Sequence, residues 1–596
     1  MPEHTIDPVL LSIIDNHLVN ICREMGIAMI RTSYSTIFNE GLDFSCVVFD
    51  RDGEMMAQAE FCPAMLGAIN FTVKWTIEEL GLDGFDPGDV VIHNDPYRGG
   101  CHMPEHMVLK PVFATDGDLF GFVANIGHIA DIGGMAPGSF AANATEVYQE
   151  GLRLPPVKIM RQGEPVTDIW NIIMANHRTP RNSRGDINAM IGSLNIAERR
   201  LLKLMDKYGK DTLRAASKQL MDHSERWMRA EIARIPNGEY YFEDCMDNDG
   251  VEDRPFWIRL SLTVADDEII ADYSASDPQA RGPINATYGV TASATYNAMF
   301  HLTDKNIPRN AGCYRPIKII TKPGTIVHVV HPGPSVAGNT ETHPRIVDTV
   351  IGALAPTLPD RAAGAHGATG ANFLFGGIHP ETGDFYTNYH FEGVGWGARA
   401  FADGNNVVNI ANGNCRNNPV EIFDHRYPFR NLSYCMIQDS GGPGRYRGGL
   451  GTERIVEVLA PEIIVSALFD RSDVPPWGVF GGRPGGTSEI FIKKKGDTGF
   501  RPFTTACGVP IATKFSNVIV STGDQIRLRT PGGGGYGDPL ERDVEQVLED
   551  VREGYVSVEG AERDYGVRVV SDGHAYTVDR EATARLRAGR KVVTAH

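Results

Sequence analysis

The stretch His93-Asn94-Asp95-Pro96-Tyr97-Arg98-Gly99-Gly100-Cys101-His102-Met103-Pro104-Glu105-His106 follows the apolar run Val90-Val91-Ile92 and crowds imidazoles, carboxylates and glycines into one turn-rich segment. Gly127-His128-Ile129-Ala130-Asp131-Ile132-Gly133-Gly134 repeats the arrangement further on. Neutral nitrogens, anionic oxygens and a backbone able to approach closely, all at the ends of predicted strands, are what a borderline or hard divalent cation requires. His102 and Glu105 flank Pro104, so both can turn to the same side of a tight loop. Asp43 and His128 would complete a mixed N/O site, with Asp131 behind or beside them as general base or ligand orienter. Two imidazoles and two carboxylates without an obligatory thiolate suit Zn²⁺ or Mn²⁺, with Fe²⁺ as a further choice. The plainer reading is a set of hydrogen-bonding loop residues with no metal, and H-x-x-E spacing alone does not separate the two. Cys101 reads as a small buried thiol.

Outward from that stretch the pattern supplies the strands that carry it. Cys46-Val47-Val48-Phe49 and Glu54-Met55-Met56-Ala57 flank Asp50-Arg51-Asp52-Gly53, and Met107 to Ala114 with Leu119 to Ala124 flank Asp116-Gly117. Each is a hairpin signal about an Asp-Gly turn. Asp7-Pro8 opens a helix whose apolar residues Leu10, Ile13, Ile14, Leu18, Ile21, Cys22, Met25 and Ala28 recur at helical spacing, with its end expected near Arg31 to Thr36. Leu66 to Leu80 is predicted helical, and Val166 to Ile235 predicts an antiparallel helix pair with its break near Tyr208-Gly209-Lys210-Asp211.

Beyond Pro236-Asn237-Gly238 the period changes to that of strands (Tyr240 to Phe242, Trp257 to Leu262, Ile269 to Tyr273), followed by helices at Ala292 to Leu302 and Ile346 to Leu358 around the strand Ile317 to Ile320. Past Ser440 short apolar runs separated by glycine and proline indicate a strand-and-turn lobe, and Val544 to Val570 a small cap. The expected fold is therefore α+β and multi-lobed: a metal-binding N-terminal domain with its helix pair over 1–236, a middle α/β domain over 237–440, a glycine-rich β lobe over 441–540 and a cap over 541–596.

A chain of 596 residues exceeds one hydrophobic core. Its net charge of −18 argues against nucleic acid or an acidic membrane face as partner and favours a small molecule. Nine cysteines without a C-x-x-C pair read as reduced thiols. The opening residues show no basic, apolar leader and no span has membrane length, so the expected location is cytoplasmic.

Asn94-Asp95-Pro96 is a turn former by composition, with Asn94 and Asp95 as candidate substrate contacts beside that plainer role. Gly338-Asn339-Thr340-Glu341-Thr342-His343-Pro344 precedes a helix and either presents Glu341 and His343 to a pocket or caps the helix through Thr342. The clusters Gly441 to Gly444, Gly448 to Gly451 and Gly532 to Gly537 lack the Lys-Ser/Thr of a phosphate loop and read as tight turns, so no nucleotide-binding residues are expected. Ser139 has no nucleophile-elbow context.

Taken in order, Asp43-Phe44-Ser45-Cys46, Asn94-Asp95-Pro96-Tyr97, Gly99-Gly100-x-His102-x-Pro104, Gly127-His128-x-x-Asp131-Ile132-Gly133-Gly134, Gly338-Asn339-x-Glu341-Thr342, Asp439 to Gly449 and Thr530-Pro531-Gly532 to Asp538-Pro539 span nearly the whole chain. This series resembles the hydantoinase B/oxoprolinase family. The resemblance implies a metal-bearing subunit of an ATP-dependent enzyme that opens cyclic amides such as hydantoin, 5-oxoproline or lactams, or that carboxylates a ketone such as acetone or acetophenone. A further reading is a non-catalytic scaffold whose loops hold a structural cation. ATP would be bound by a partner of the hydantoinase A type, in a hetero-oligomer, and the family's metal ligands fall on Asp43, His102, Glu105 and His128. The family more often has Thr where Cys101 stands and Asp where Glu105 stands. Glutamate keeps the charge but is one methylene longer, which bears on ligand geometry and metal identity.

Overall fold

Asp7 accepts hydrogen bonds from the backbone amides of Val9 and Leu10, and Pro8 occupies the first turn, so helix α1 (Pro8–Thr32) starts where cap chemistry requires. The structure, a computed structural model, describes residues 6–573 and 575–593. The first residues of the leader reading, 1–5, lie outside the described residues.

The turn α2 (Thr36–Asn39) leads into a seven-stranded sheet of order β2-β1-β5-β4-β3-β6-β7. Its strands are β1 (Phe44–Asp50), β2 (Met55–Gln58), β3 (Val90–His93), β4 (Glu105–Phe113), β5 (Leu119–His128), β6 (Val157–Arg161) and β7 (Glu164–Pro165). Both predicted hairpins are present, and all neighbours are antiparallel. Alternation along β1 sends Cys46 and Val48 into one core and Val47 and Phe49 into another, so the sheet is buried on both faces. Helix α3 (Pro63–Leu80) covers the second face.

The predicted helix pair is three helices: α4 (Thr167–Asn176), α5 (Pro180–Tyr208) and α6 (Lys210–Ile232). The break falls on Gly209, whose φ of 82° suits a residue without Cβ. The stripe Ile187, Met190, Leu194 and Leu201 on α5 shares a core with Ile14, Leu18 and Cys22 of α1, and α1 rather than α6 is the chief partner of α5.

A second sheet of order β11-β10-β9-β8 follows: β8 (Gly238–Met246), β9 (Phe256–Ala265), β10 (Glu268–Asp272) and β11 (Ile317–Ile320). Helix α7 (Tyr288–Leu302) packs on α3, the short α8 (Ala311–Tyr314) on α6, and α9 (His343–Leu354) on α7 and β8. The periodicity change at Pro236 marks a switch of secondary structure and not a break in the core, since one apolar cluster runs from Ile14 to Leu468.

The boundary expected at Ser440 falls within a sandwich of two sheets. One has order β13-β12-β16-β19 and the other β14-β15-β20-β17-β18. Strands β12 (Asn372–Ile378), β13 (Phe385–His390) and β14 (Phe429–Met436) precede Ser440, whereas β15 (Thr452–Val458), β16 (Ile463–Leu468), β17 (Glu489–Lys493), β18 (Arg501–Pro502), β19 (Lys514–Val520) and β20 (Gln525–Arg529) follow it. Phe373, Phe375, Val465 and Phe515 from one sheet meet Phe429, Val456, Ile490 and Ile526 from the other in a single core. The glycine clusters are close backbone packing, as expected: a Cβ on Gly533 would lie 2.0 Å from the Trp396 carbonyl oxygen, and one on Gly448 would lie 1.9 Å from that of Gly533. The cap closes on Val547, Leu548, Val551 and Tyr565. Among the described residues no helix is long and apolar enough to cross a membrane.

Candidate metal centre

Three adjacent strand ends line up the candidate ligands. Glu105 opens β4 directly opposite His128, the last residue of β5, so their side chains meet as a cross-strand pair. Asp43 precedes β1 and its carbonyl accepts the His128 amide at 3.1 Å, which continues the row onto the next strand. His102 stands in the turn before β4, held by the Glu105 amide on its own carbonyl at 3.0 Å.

The ligand atoms of His102, Glu105 and His128 all lie within 4.8 Å of one another. His102 Nε2 is 3.2 Å from Glu105 Oε1, and His128 Nδ1 is 3.9 Å from Asp43 Oδ2. His102 Nδ1 lies 2.6 Å from the Val336 carbonyl oxygen, which can only accept, so Nδ1 carries a proton and the neutral ring has its lone pair on Nε2. Val336 is held in turn by Glu150, whose Oε1 accepts the amides of Ser335 and Val336 at 2.7 and 2.8 Å. Asn339 Nδ2 donates to Glu105 Oε1 at 2.7 Å, and the Tyr389 ring stacks on His128 at 4.5 Å.

All four side chains are buried, yet His102 Nε2, His128 Nε2 and Glu105 Oε2 have no hydrogen-bond partner. Buried polar atoms left unmatched cost about 1–3 kcal/mol each, so a cluster of them pointing at one space calls for a ligand. The space is a cavity of about 30 Å³, lined also by Cys62, Asn339, Tyr389, Asn412 and Cys415. That is room for an ion and a water-sized ligand. Burial, aided by the charge of Glu105, pushes the Asp43 carboxyl up to about 7. Burial, then the charge of His102, holds His128 well below the usual imidazole range. A cation would relieve the first and match the second.

The other candidates are placed differently. Asp131 accepts the amides of Gly133 and Gly138 at 2.9 Å each and pairs with Arg178 at 3.1 Å, so both oxygens brace the loop after His128 and do not face the cavity. Asn94 donates to the carbonyls of Met103 and Leu152 and accepts the Leu154 amide. Asp95 accepts the Tyr97 amide and pairs with Arg98. Both fix the ligand-bearing turn. Glu341 also stands back from the cavity: Asn372 Nδ2 donates to it at 2.7 Å, while Tyr389 donates to Asn372 Oδ1, so Glu341 supports the ring stacked on His128. Thr342 donates to the Ile284 carbonyl and provides no side-chain cap. Ser139 Oγ is consumed by Ile132 and Gly133.

Sequence reasoning missed Cys62, Cys415, Asn412 and Glu150. Asn339 lay within a quoted motif, but its neighbour Glu341 drew the attention that a carboxylate attracts. Cys62 precedes the Pro63 that starts α3, and Cys415 comes from a loop more than 350 residues on, so no local pattern links them.

The hydantoinase B/oxoprolinase family profile matches residues 7–539. A putative D-/L-hydantoinase subunit from Pseudomonas sp. (strain NS671) is 32% identical over 98% of this chain and 98% of its own length. The crystal structure of the ATP-dependent caprolactamase from Pseudomonas jessenii superposes with a TM-score of 0.90 at 30% identity, covering 98% of this chain and 100% of that one. An acetone carboxylase in its nucleotide-free structure shares the fold, with a TM-score of 0.88 at 20% identity over 99% of this chain and 84% of that one. The chain belongs to the hydantoinase B/oxoprolinase family.

Proposed function

We propose that this chain is the metal-holding subunit of an ATP-dependent amidohydrolase that opens cyclic amides of the hydantoin, 5-oxoproline or lactam class. The observation that carries the reading is the buried cluster of lone pairs and carboxylates at the ends of β1, β4 and β5, set in a chain that resembles a hydantoinase subunit and an ATP-dependent caprolactamase.

His102, Glu105 and His128 fit a divalent cation of the Zn²⁺ or Mn²⁺ type, with Fe²⁺ a further choice, and Asp43, outside that triad but with Oδ2 3.9 Å from His128 Nδ1, would be the fourth ligand. When bound, the cation supplies Lewis acidity toward a carbonyl or phosphoryl oxygen and acidifies water. The chain's own residues supply positioning. Glu150 holds Val336, Val336 fixes the His102 tautomer, and Asn339 orients Glu105. Asn339 and Asn412 line the cavity with Oδ1 atoms that have no partner, which are acceptors for the hydrogens of an attacking water or of a leaving ring nitrogen. The cavity is too small for a cyclic amide. The neighbouring 350 Å³ cleft, across the segments Phe61–Ala64 and 413–415, offers Phe61, Tyr296, Phe300 and Tyr314 as apolar walls for the ring and Arg309 as a polar anchor.

ATP would be bound by an A-type partner that activates the amide oxygen by phosphorylation, leaving ring opening to this chain. The similarity to a protein that is one subunit of a hydantoinase, over nearly the full length of both, supports this division. The shared fold of an acetone carboxylase supports a second reading, in which a ketone-derived enolate takes up CO₂ in place of water. The test is to co-express the chain with an A-type partner and measure ATP-dependent consumption of hydantoins, lactams, 5-oxoproline and ketones with and without bicarbonate. Bicarbonate-independent ring opening that is abolished by His102→Ala supports the hydrolase. Bicarbonate-dependent ketone consumption selects the carboxylase, and turnover unaffected by His102→Ala removes the metal centre from the chemistry.

A further inference from the structure

Asp43 belongs to a second ligand cluster. One carboxylate oxygen of Asp43 and the Sγ atoms of Cys62 and Cys415 all lie within 4.8 Å of one another, and all three side chains line the same cavity as His102, Glu105 and His128. Cys62 reaches it from the N-cap of α3 and Cys415 from the loop after Asn412, so three distant segments converge on this side as well. Cys62 Sγ donates to the Asn412 carbonyl, which ties the two thiol-bearing segments together.

We propose that Asp43, Cys62 and Cys415 form a second cation site, selective for a thiophilic divalent ion of the Zn²⁺ class, which shares Asp43 with the N/O site. Two sulfurs and one carboxylate are the donor set that favours Zn²⁺ over Mn²⁺ or Mg²⁺. The charge balance permits it. Asp43 and Glu105 neutralise one divalent cation while both thiols keep their protons. A second divalent cation displaces two thiol protons to solvent, M²⁺ + 2 RSH → M(SR)₂ + 2 H⁺, so the cavity's total charge does not change. Asp43 would then be shared by the two sites, since its Oδ2 lies 3.9 Å from His128 Nδ1 and one of its oxygens lies within 4.8 Å of both sulfurs. This site stands on its own ligand geometry, and its test does not depend on which reaction the assembly catalyses.

The experiment is titration of the reduced full-length chain with Cd²⁺, following thiolate-to-metal charge-transfer absorption, together with elemental analysis after loading with Zn²⁺. The expected result is a charge-transfer band and two Zn²⁺ per chain. Cys62→Ser and Cys415→Ser each lose the band and retain one ion, whereas His102→Ala keeps the band. Circular dichroism of each variant reports folding, and the wild-type band needs no variant at all. Absence of the band in the wild-type chain, its persistence in the Cys62→Ser/Cys415→Ser double variant, or its loss in His102→Ala would each overturn the second site. The turnover assays above fail or succeed independently of all three.

Discussion

Two buried polar clusters in this chain are equally cut off from water and opposite in character. Around Asp244, Asp348 and Asp470 the carboxylates face fixed cations: Arg345 pairs with Asp244 and Asp470 at 3.3 and 3.0 Å, Arg471 with Asp244 and Asp348 at 3.0 and 3.2 Å, and Lys514 with Asp470 at 2.7 Å. Around Asp43 and Glu105, among the described residues, no lysine or arginine lies within ion-pair distance and the only ring partners are His128 and His102. Burial opposes ionisation in both places. Lys514 and Arg345 nevertheless hold Asp470 well below the usual carboxylate range, whereas Asp43 rises to about 7. The first cluster has its counter-charges built into the chain and acts as a structural knot between the middle sheet and the β sandwich. The second lacks them, and the cation we propose for it would supply the missing charge.

The widest separation between the clusters is expected in catalysis. His102→Ala should lower ATP-dependent turnover of the assembled enzyme on the order of 10⁴-fold, ~5 kcal/mol on the barrier, while the metal-free variant unfolds at the same denaturant concentration as metal-free wild type. Steady-state kinetics beside urea unfolding checks this, and a matching loss of stability would make His102 a structural residue like those of the knot.

Asp470→Ala should do the reverse. It leaves Lys514 and Arg345 short of a buried partner and should cost about 4 kcal/mol in unfolding free energy, with metal content per folded chain unchanged. A variant as stable as wild type would remove the distinction between the two clusters.

A pH dependence sharpens the contrast at Glu341, which lies between them. Burial, with the charge of Asp470, raises its carboxyl to about 8 from an ordinary 4.5. A raised carboxylic acid favours the folded state in its protonated form, so this contribution is complete below the unfolded value and is lost as pH rises from there to about 8. Glu341→Gln keeps a neutral side chain throughout. It should therefore gain stability relative to wild type with rising pH, by roughly 4 kcal/mol between about pH 5 and about pH 9. Unfolding midpoints that run parallel for the two proteins across that range would contradict it.

The smallest effect is expected behind the ligands. Glu150→Ala frees the Val336 amide and, through it, the carbonyl that fixes the His102 ring, which should weaken metal affinity about 10–100-fold without abolishing binding. Competition with a chromophoric chelator measures it.

Much of the fold was legible because its signals are local. The Asp7-Pro8 cap, the two Asp-Gly hairpins and the change of period at Pro236 each rest on a few adjacent residues. The lobes were less legible, because β12 and β14 find partners across Ser440 and strand pairing over such distances leaves no trace in composition. At the site, His102, Glu105 and His128 sit in glycine-rich loops at strand ends, where residue type and position both point to ligation. Asp131, Asn94 and Asp95 carry the same local signature and turn out to brace those loops, since sequence shows that a carboxylate is near a turn but not which donors reach it. Cys62 and Cys415 were read only as reduced thiols because their meeting is purely tertiary.

Whether the cavity at the ends of β1, β4 and β5 completes its charge with a divalent cation is decided by bound metal. Full-length chain, purified in the assembled enzyme and dialysed, should carry at least one divalent ion per chain by elemental analysis, should lose turnover on exhaustive chelation and should recover it when Zn²⁺ or Mn²⁺ is restored. Enzyme that is metal-free by the same analysis and turns over at full rate after chelation would contradict the account.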